Sequence, residues 1–385
     1  MRDRTKVHLY GRWESHRSLP KVARNIARVL AGHFHVSIWS TDMPWAFPDR
    51  VPPTGEVFRV GHTAARRHRL YQDLPGGVDV DLKSRRDVIA TSFVYPDDLL
   101  SGWMKMHRVT YPGFVCEAME ILNQWEVEAN KHTACWVPSR YCKDAFERSG
   151  VRRPLYVIHH GIEPEFRPLE TPRKPSRMTF LLLNTVAHFH YRKGVLDGLR
   201  AFKDAFPNGK ADVQLLLRSP LEEKGLRAAV EEEVARPGAP IVVQEPKAFS
   251  VPAEAMNGLY NGVHALFAPS RGEGFGLPTL EAKAAGIPVV GTFWHGSREH
   301  FMPELDLEIG PHPARLCHIP ISEEESGIAR DLDHDGMVAA LRKMYDEHDE
   351  RNRKSIAAAP SIRREWGWTK VLKPLVSLIR TGKPT

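Results

Sequence analysis

Short apolar segments alternate with longer amphipathic segments along most of this chain, and this alternation restricts its fold more than any other feature. The apolar segments have the length and composition of buried strands, whereas the longer segments place their apolar residues on one helical face. Strands that are separated by helices pair in parallel, because each helix carries the chain back across the sheet. The pattern therefore predicts an α/β fold with parallel sheets covered by helices.

The alternation occurs twice. In the first half, strands are predicted over residues 6–10, 35–39, 87–91, 108–111, 134–137 and 155–159, and a helix over residues 20–31. In the second half, strands are predicted over residues 178–183, 213–217, 241–244, 265–268 and 288–291, and helices over residues 195–206, 222–235, 253–261 and 278–285. Two such doubly wound units form two lobes with a cleft between them. Because ligands bind at the carboxyl ends of strands in open parallel sheets, the cleft is the predicted binding site.

A segment rich in proline and charge separates the two halves. Residues 161–177 read GIEPEFRPLETPRKPSR, which is the composition of an interdomain linker. We therefore predict a first domain over residues 1–165 and a second over residues 166–365. In the remaining residues, 366–385, apolar side chains recur at helical spacing, so we expect a helix that packs back onto the first domain.

The composition is that of a globular protein, with 42% hydrophobic and 26% charged residues. No run approaches the ~18 consecutive apolar residues that a membrane-spanning helix needs. The first residues, MRDRTKVHLYGRW, lack the apolar core of a signal peptide, so we expect a cytoplasmic protein. Nothing in the pattern indicates an oligomeric state.

The chain carries a formal charge of +7, and the basic residues are concentrated early. Residues 1–70 hold 13 lysines and arginines against 5 aspartates and glutamates. A basic first half is compatible with an anionic acceptor, with peripheral contact to a membrane surface, or with a solvated basic face. The densest cluster, residues 62–69, has no aromatic residues between its basic ones, which makes it weak evidence for nucleic-acid binding.

We expect no metal site and no cofactor. The four cysteines show no C-x-x-C spacing. Residues 331–336 copy the start of a calcium-binding loop, but Arg342 stands where that loop needs a glutamate, so we interpret them as an acidic turn that caps a helix over residues 337–345. Asp79 and Asp81 form a D-x-D pair that we interpret as a surface turn.

Residues 268–291, APSRGEGFGLPTLEAKAAGIPVVG, contain the pattern with the clearest chemical meaning. A buried strand leads into a glycine-rich turn, and a helix begins near Pro278, where a missing N–H costs little. Free N–H groups at such a helix start bind anions, and Gly274 and Gly276 let the backbone approach a ligand. The carboxylates of Glu273 and Glu281 flank this anion site and suit sugar hydroxyls. The combination indicates a nucleotide-sugar site.

The segment EGFGLPTLE resembles the E-x7-E motif of glycosyltransferase family 4, which contains retaining enzymes of the GT-B fold. Several other segments resemble that family in the same order along the chain, over roughly residues 117–368. They are WVPS at residues 136–139, CKDAFERSG at 142–150, HGIE at 160–163, RKG at 192–194, G-x-x-E at 296–299, and Trp366 or Trp368 before a final helix. Glu117 and Trp125 lie in a stretch similar to acceptor-side segments of relatives, and His159, His160 and His295 are further candidates to face the cleft.

The resemblance implies a GT-B fold, with two Rossmann-like domains facing a cleft. It also implies roles for single residues: Glu281 at the ribose, Glu273 at the donor sugar, and Lys193 beside the leaving diphosphate with a second cation. The catalytic residues are then Glu273, Lys193 and, as the candidate second cation, Arg218. The donor-binding residues are Glu281, Gly274, Phe275, Gly276, Leu277, Thr279, Arg192, Glu299 and Gly11.

Two segments depart from the family pattern. Residues 184–191, NTVAHFHY, lack the arginine that often precedes R-K-G, and for this reason Arg218 is the candidate replacement, with His188 and His190 as other polar candidates. The first loop, residues 11–20, has Ser18-Leu19-Pro20 where relatives often have G-L-G.

We therefore predict a metal-independent, retaining glycosyltransferase that moves a sugar from a nucleotide-diphospho-sugar to a hydroxyl of a saccharide, a lipid-linked or a small-molecule acceptor. The alternatives are a different enzyme on the same fold, such as an epimerase, a catalytically silent binding or scaffold protein, and a transferase that acts on modified nucleic acid.

Overall fold

The computed structural model describes residues 5–11, 18–40, 88–94, 107–172, 175–184, 189–207, 212–246, 251–310, 315–320 and 326–385. Several predictions fall outside these ranges. They concern Asp79 and Asp81, the basic cluster at residues 62–69, His188, and most of the first loop.

The first lobe is built on a parallel sheet of six described strands. The strands are β1 (Lys6–Gly11), β2 (His35–Ser40), β3 (Val88–Val94), β4 (Val109–Phe114), β5 (Cys135–Val137) and β6 (Leu155–Val157). They lie in the order β2-β1-β3-β4-β5-β6, and all described pairings are parallel. Phe93, Phe114 and Trp136 are fully buried along these strands, which is why the segments read as continuous apolar runs.

The second lobe contains another parallel sheet of six described strands. The strands are β7 (Met178–Leu183), β8 (Val213–Arg218), β9 (Ile241–Gln244), β10 (Ala265–Ala268), β11 (Val289–Gly291) and β12 (Leu307–Glu308). Their order is β12-β11-β10-β7-β8-β9. Counted from β7 as the first strand, this is the 3-2-1-4-5-6 order of dinucleotide-binding folds. The order reverses between β7 and β10, and the turn after β10 holds the E-x7-E segment.

The predicted helices are present among the described ones. The described helices are α1 (Ser18–Ala31), α2 (Asn123–Ala129), α3 (Arg140–Arg148), α4 (Val195–Ala205), α5 (Leu226–Ala235), α6 (Ala253–Asn261), α7 (Leu277–Ala284), α8 (His334–Trp366), α9 (Trp368–Val371) and α10 (Lys373–Thr381), with a 3₁₀ helix over Gly296–His300. The helix α8 continues far beyond the predicted residues 337–345, and α2, α3 and α9 were not predicted. α8 begins where the acidic turn was predicted to cap a helix, because the Asp333 side chain accepts from the Gly336 N–H at 3.1 Å. No helix in the described ranges is long and apolar enough to cross a bilayer.

An antiparallel hairpin that the sequence analysis did not predict follows the second sheet. Its strands are β13 (Leu316–Pro320) and β14 (Ser326–Arg330). The Ile328 carbonyl accepts from the Met119 N–H at 2.8 Å, so the hairpin contacts the first lobe. Several side chains of each strand are exposed, so neither segment shows the regular alternation of apolar and polar residues that predicts a strand.

The chain crosses between the lobes twice, at adjacent positions. It leaves the first lobe after β6 and returns at the end of α8, where the Ile162 N–H donates to the Trp366 carbonyl at 2.9 Å and Ile162 forms a bridge with Gly367. The returning segment, α10, buries Leu375 and Leu378. The Arg380 guanidinium lies 5.6 Å from the ring centre of Phe34, a first-lobe residue. The structure thus has the predicted α/β class, with two Rossmann-like sheets and a C-terminal helix on the first lobe.

Candidate functional site

The turn between β10 and α7 lies at the cleft between the lobes. Its last residue, Gly276, has φ of 81°, in the left-handed region that only glycine adopts without strain. This residue ends the turn and begins α7, with Pro278 in the first turn of the helix. The Thr279 hydroxyl donates to the Gly276 carbonyl at 2.7 Å and holds the helix start closed.

Hydrogen bonds from several directions fix the backbone of this turn. Each of the four carbonyl groups from Gly272 to Phe275 accepts a hydrogen bond from another segment. The donors, in the order of the carbonyls, are the Arg192 guanidinium (2.9 Å), the Gly296 N–H (2.9 Å), the Ser139 hydroxyl (2.7 Å) and the His300 imidazole (3.0 Å). The carbonyl oxygens are therefore satisfied by protein, and the turn is rigid.

The N–H groups of the same turn are not used in this way. Within the described ranges, those of residues 274–277 donate to no protein acceptor. Successive N–H groups at a helix start, with the helix dipole behind them, stabilise a bound anion. The turn can therefore accept a phosphate group without first losing a protein hydrogen bond.

Glu273 is largely enclosed in this turn, with 14% of its side chain exposed, and lies beside two cations. Its carboxylate forms an ion pair with the Lys193 ammonium, and Arg192 Nη1 lies 3.8 Å from Oε2. Burial alone would raise the pKa of Glu273, but Lys193 and Arg192 outweigh it and lower the pKa to about 2. The carboxylate is therefore ionised at neutral pH. It can accept hydrogen bonds from hydroxyl groups but is a poor base.

Glu281 lies on α7 and is almost completely buried. The Tyr260 hydroxyl donates to its Oε2 at 3.0 Å, and the ammonium of Lys21, from the start of α1 in the first lobe, pairs with its Oε1. Burial and the nearby Glu281 charge raise the pKa of Tyr260 well above its ordinary value, so the phenol remains a donor. Glu281 is thus reached from both lobes.

His295 supports the site as a neutral side chain. Its Nε2 lies 3.0 Å from the Thr292 hydroxyl and 3.3 Å from the Ser270 carbonyl, while Nδ1 accepts from the Ser297 N–H at 3.4 Å. These partners place the proton on Nε2. Burial lowers the pKa of His295 to about 4, although Glu273 opposes the shift. His295 therefore connects the ends of β10 and β11 rather than supplying a proton.

The first lobe closes directly over the turn. Gly272 and Gly274 lie so near to it that a Cβ at either position would be 2.0 Å from the Glu117 carbonyl oxygen or 2.2 Å from Val115 Cγ2. Glu299 Oε1 accepts from the Arg140 N–H at 2.6 Å, at the N-terminus of α3. These contacts require glycine in the turn and hold the lobes together.

A small cavity lies in the second lobe beside the turn. A cavity of about 20 Å³ lies among Lys193, Glu273, Gly276, Thr279 and His295. A volume of ~10–15 Å³ holds one water molecule, whereas ligand pockets reach hundreds of cubic ångströms. This cavity is too small for a nucleotide and the first lobe lies directly against the turn, so we expect the lobes to separate when a nucleotide binds.

The predicted residues fall into two groups. Most of them line or support the turn: Glu273, Glu281, Lys193, Arg192, Gly274, Phe275, Gly276, Leu277, Thr279 and Glu299. Arg218 lies at the end of β8 and donates to Gln244 at 2.7 Å, so the second cation beside Glu273 is Arg192 rather than Arg218. Gly11 ends β1, and its loop lies outside the described ranges. The functional roles of these residues stay predictions.

Sequence reasoning missed two partners of Glu281. Tyr260 precedes β10 in the segment LYNGVHALFAPS, and its helical spacing gave no sign of a buried hydroxyl. Lys21 follows the altered first loop and lies 260 positions before its partner. Within the described ranges, no group of three or more His, Cys, Asp or Glu side chains could hold a metal ion.

Solved structures share this architecture. Sucrose-phosphate synthase from Thermosynechococcus elongatus matches with a TM-score of 0.67 and 15% identity, over 98% of each chain. Anabaena HepE, solved with UDP and glucose, matches with a TM-score of 0.67 and 11% identity over 98% of this chain and 100% of its own. At such identities the matches show the fold alone, and they establish it as GT-B.

A curated relative comes from a virus. The protein called glycosyltransferase 45, from Sulfolobus islandicus filamentous virus, is 29% identical over 161 residues, which is 40% of this chain and 40% of the viral protein. The match thus spans well under half of that protein. A family model, described as family 4 glycosyltransferase in conflict systems, matches residues 139–375, which include both glutamates, the two cations and the N-terminus of α3. The chain therefore belongs to the family of family 4 glycosyltransferases in conflict systems.

Proposed function

We propose that this protein transfers a sugar from a UDP-sugar to a hydroxyl acceptor, with retention of the anomeric configuration and without a metal ion. One observation carries the proposal. Glu273 and Glu281 flank a helix start whose N–H groups are unused by the described protein, while Lys193 and Arg192 lie beside Glu273. Groups that can bind a diphosphate thus lie in the same turn and helix as carboxylates that can accept hydrogen bonds from sugar and ribose hydroxyls.

Each part of the donor has a matching group. The diphosphate meets the N–H groups of residues 274–277 and the Lys193 ammonium. The ribose hydroxyls donate to Glu281, and hydroxyls of the sugar donate to Glu273, which stays ionised because its pKa is about 2. This arrangement requires an opened cleft and the departure of Lys193 from its ion pair toward the phosphate.

The same groups lower the barrier of transfer. The bond between the anomeric carbon and the phosphate oxygen breaks, and its electron pair leaves with the nucleoside diphosphate. Lys193, Arg192 and the N–H groups stabilise that developing charge. Glu273 is a poor base, so the acceptor proton passes to the departing diphosphate as the acceptor oxygen attacks from the same face. This route retains the configuration and agrees with the family resemblance.

The choice of donor and acceptor comes from the structural neighbours. HepE was solved with UDP and glucose, and the pneumococcal O-GlcNAc transferase GtfA with UDP and GlcNAc. Sucrose-phosphate synthase is named for a saccharide product. We therefore place UDP-sugars first among donors and saccharides or small hydroxyl compounds first among acceptors.

Donor turnover tests the proposal. The purified protein is incubated with UDP-, GDP- and ADP-sugars, with and without acceptors and EDTA, and release of nucleoside diphosphate is measured. We expect turnover of a UDP-sugar that EDTA does not reduce. Glu273→Ala should abolish it, and NMR of the product should show the donor's anomeric configuration.

Glu232→Ala is the matched control, because Glu232 is an exposed glutamate of the same lobe. Loss of turnover in both variants would point to a general defect and contradict the role of Glu273. Binding of UDP-sugars without turnover on any acceptor would favour a silent binding protein. An inverted product would overturn the retaining mechanism.

An anionic acceptor is a second candidate. The chain has a formal charge of +7, concentrated in its first residues. A modified nucleic acid would be held mainly through its phosphates, so its binding would weaken steeply with salt. An acceptor panel that includes such substrates, at two salt concentrations, separates this candidate from a neutral saccharide.

A further inference from the structure

Lys21 joins three segments at the ribose side of the donor site. Its side chain extends from the start of α1 into the second lobe and is 14% exposed. The ammonium pairs with Glu281 Oε1 and lies 3.5 Å from Glu163 Oε2, while the Phe166 ring centre is 4.8 Å away. Although burial opposes the charge, Glu281 and Glu163 raise the pKa of Lys21. One cation therefore serves two buried carboxylates.

The second of these carboxylates is held but not fully satisfied. The Asn25 amide donates to Glu163 Oε1 at 3.2 Å. Within the described ranges, nothing donates a hydrogen bond to the buried Oε2, which faces Lys21 at 3.5 Å. A buried carboxylate oxygen without a donor is costly. Glu163 thus presents an open acceptor next to the ammonium.

Both oxygens of the first carboxylate already have a protein donor. Lys21 occupies Oε1 of Glu281 and Tyr260 occupies Oε2. Two ribose hydroxyls that approach Glu281 have to share these oxygens with the two donors or displace one of them. Lys21 is the partner that can leave, because it comes from the other lobe and has a second carboxylate within reach. Tyr260 belongs to the same lobe as Glu281 and has no such alternative in its described contacts.

We propose that Lys21 is a donor-site residue of the first lobe that pairs with Glu281 and passes to Glu163 when the ribose of the donor binds. The proposal rests on the proposed function, because it assumes that Glu281 binds ribose. The transfer keeps the ammonium paired throughout. It also makes the affinity for nucleotide depend on Glu163, which the proposal does not place in contact with the donor.

A double-mutant cycle tests this dependence, with the affinity for UDP measured by calorimetry. Glu163→Gln keeps an acceptor for Asn25 but removes the charge that receives Lys21. We expect it to weaken UDP binding about fivefold or more, since Lys21 then remains on Glu281. In a Lys21→Met background the same substitution should not weaken binding, because no ammonium needs a new partner. Glu170→Gln, an exposed site in the same linker, is the control.

The outcomes separate the two claims. One outcome would overturn the passage of Lys21 to Glu163 while the proposed function stands. In that outcome the wild type binds UDP, Glu281→Ala does not bind it, and Glu163→Gln has the wild-type affinity within about twofold. Equal weakening by Glu163→Gln in both backgrounds would also overturn it, since Glu163 would then act without Lys21. If the wild type binds no nucleoside diphosphate, the proposed function and this inference fall together. Unfolding midpoints of all variants show whether a loss of binding reflects a loss of fold.

Discussion

A single carboxylate, that of Glu281, illustrates how neighbours set the behaviour of a side chain. Its position on α7 follows from the spacing of E-x7-E, and the sequence analysis predicted it. Its partners Tyr260 and Lys21 are a phenol and an ammonium of opposite lobes, and local patterns carry no information on such contacts. The identity of the two glutamates could thus be predicted, whereas the groups that orient them could not.

Tyr260→Phe tests the orientation of Glu281. The substitution removes one buried hydrogen bond to a carboxylate. Such a bond contributes about 1.5–3 kcal/mol, and we expect part of the loss to appear as weaker ligand binding. We expect the Kd for UDP to rise about tenfold, with a smaller effect on a donor that lacks the ribose hydroxyls. Tyr345→Phe removes a hydroxyl that pairs with Asp212, near the opposite end of the second sheet, and should leave the Kd unchanged. If Tyr260→Phe weakened the binding of UDP and of the donor without ribose hydroxyls equally, this role would be contradicted.

At the scale of elements, the turn before α7 is supported from behind by a buried polar chain. His300 donates to the Phe275 carbonyl, Lys283 on α7 donates to the His300 carbonyl, and Asp306 pairs with Lys283 at 2.9 Å. Both side chains of the pair are 0% exposed. Removing one partner of a buried ion pair strongly destabilises a protein. The stability of the second lobe and the support of the donor turn therefore depend on the same polar contacts.

Asp306→Asn should therefore destabilise the protein. It leaves the Lys283 ammonium buried without a counter-charge, which costs about 3–5 kcal/mol when one partner of a buried pair is removed. Urea unfolding at neutral pH measures the loss. Asp349→Asn, on a fully exposed side chain, is the control and should change the free energy of unfolding by less than about 0.5 kcal/mol. A small loss for Asp306→Asn would mean that the lobe relaxes around Lys283.

The elements differ in how far the sequence predicts them. β7, β9 and β10 lie at the predicted residues, because a buried parallel strand is a short apolar run that local composition reveals. The hairpin of β13 and β14 was not predicted, because its half-exposed strands lack a continuous apolar run. The order of strands within each sheet depends on pairings between distant segments. Periodicity alone does not predict these pairings, and only the GT-B fold implied by the family resemblance indicated the arrangement.

At the scale of the whole molecule, the lobes meet around an aromatic cluster at the crossing of the chain. His160 lies there fully enclosed, with ring centres 4.6 Å from Phe93 and 5.1 Å from Phe275. Neither of its ring nitrogens has a hydrogen-bond partner within the described ranges. Burial, with a smaller contribution from His159, lowers the pKa of His160 to about 3.

This histidine makes the stability of the molecule depend on pH. The pKa is lower in the folded state than the ordinary 6.5, so the contribution of His160 is complete above about pH 6.5 and is lost as the pH falls toward 3. At about pH 5 the loss amounts to about 2 kcal/mol relative to neutral pH, because only the unfolded chain takes up the proton.

His160→Phe should remove this part of the dependence. We expect the difference in the free energy of unfolding between about pH 7.5 and about pH 5 to shrink by about 2 kcal/mol, whatever the variant's absolute stability. His318→Phe, at an exposed position in β13, is the control and should keep the wild-type difference. An unchanged difference in His160→Phe would show that His160 takes up its proton in the folded state without cost.

The double crossing of the chain has a mechanical consequence. Ile162 and Trp366 are hydrogen-bonded side by side, so the two connections between the lobes act as one joint rather than as two separate tethers. We expect such a joint to favour rotation of the lobes about it over sliding of one lobe past the other. A rotation of this kind would bring the start of α3 back to the same contacts with Gly274 and Glu299 at each closure. The relative position of the two halves of the cleft would then be set by the joint and not by the contacts within the cleft.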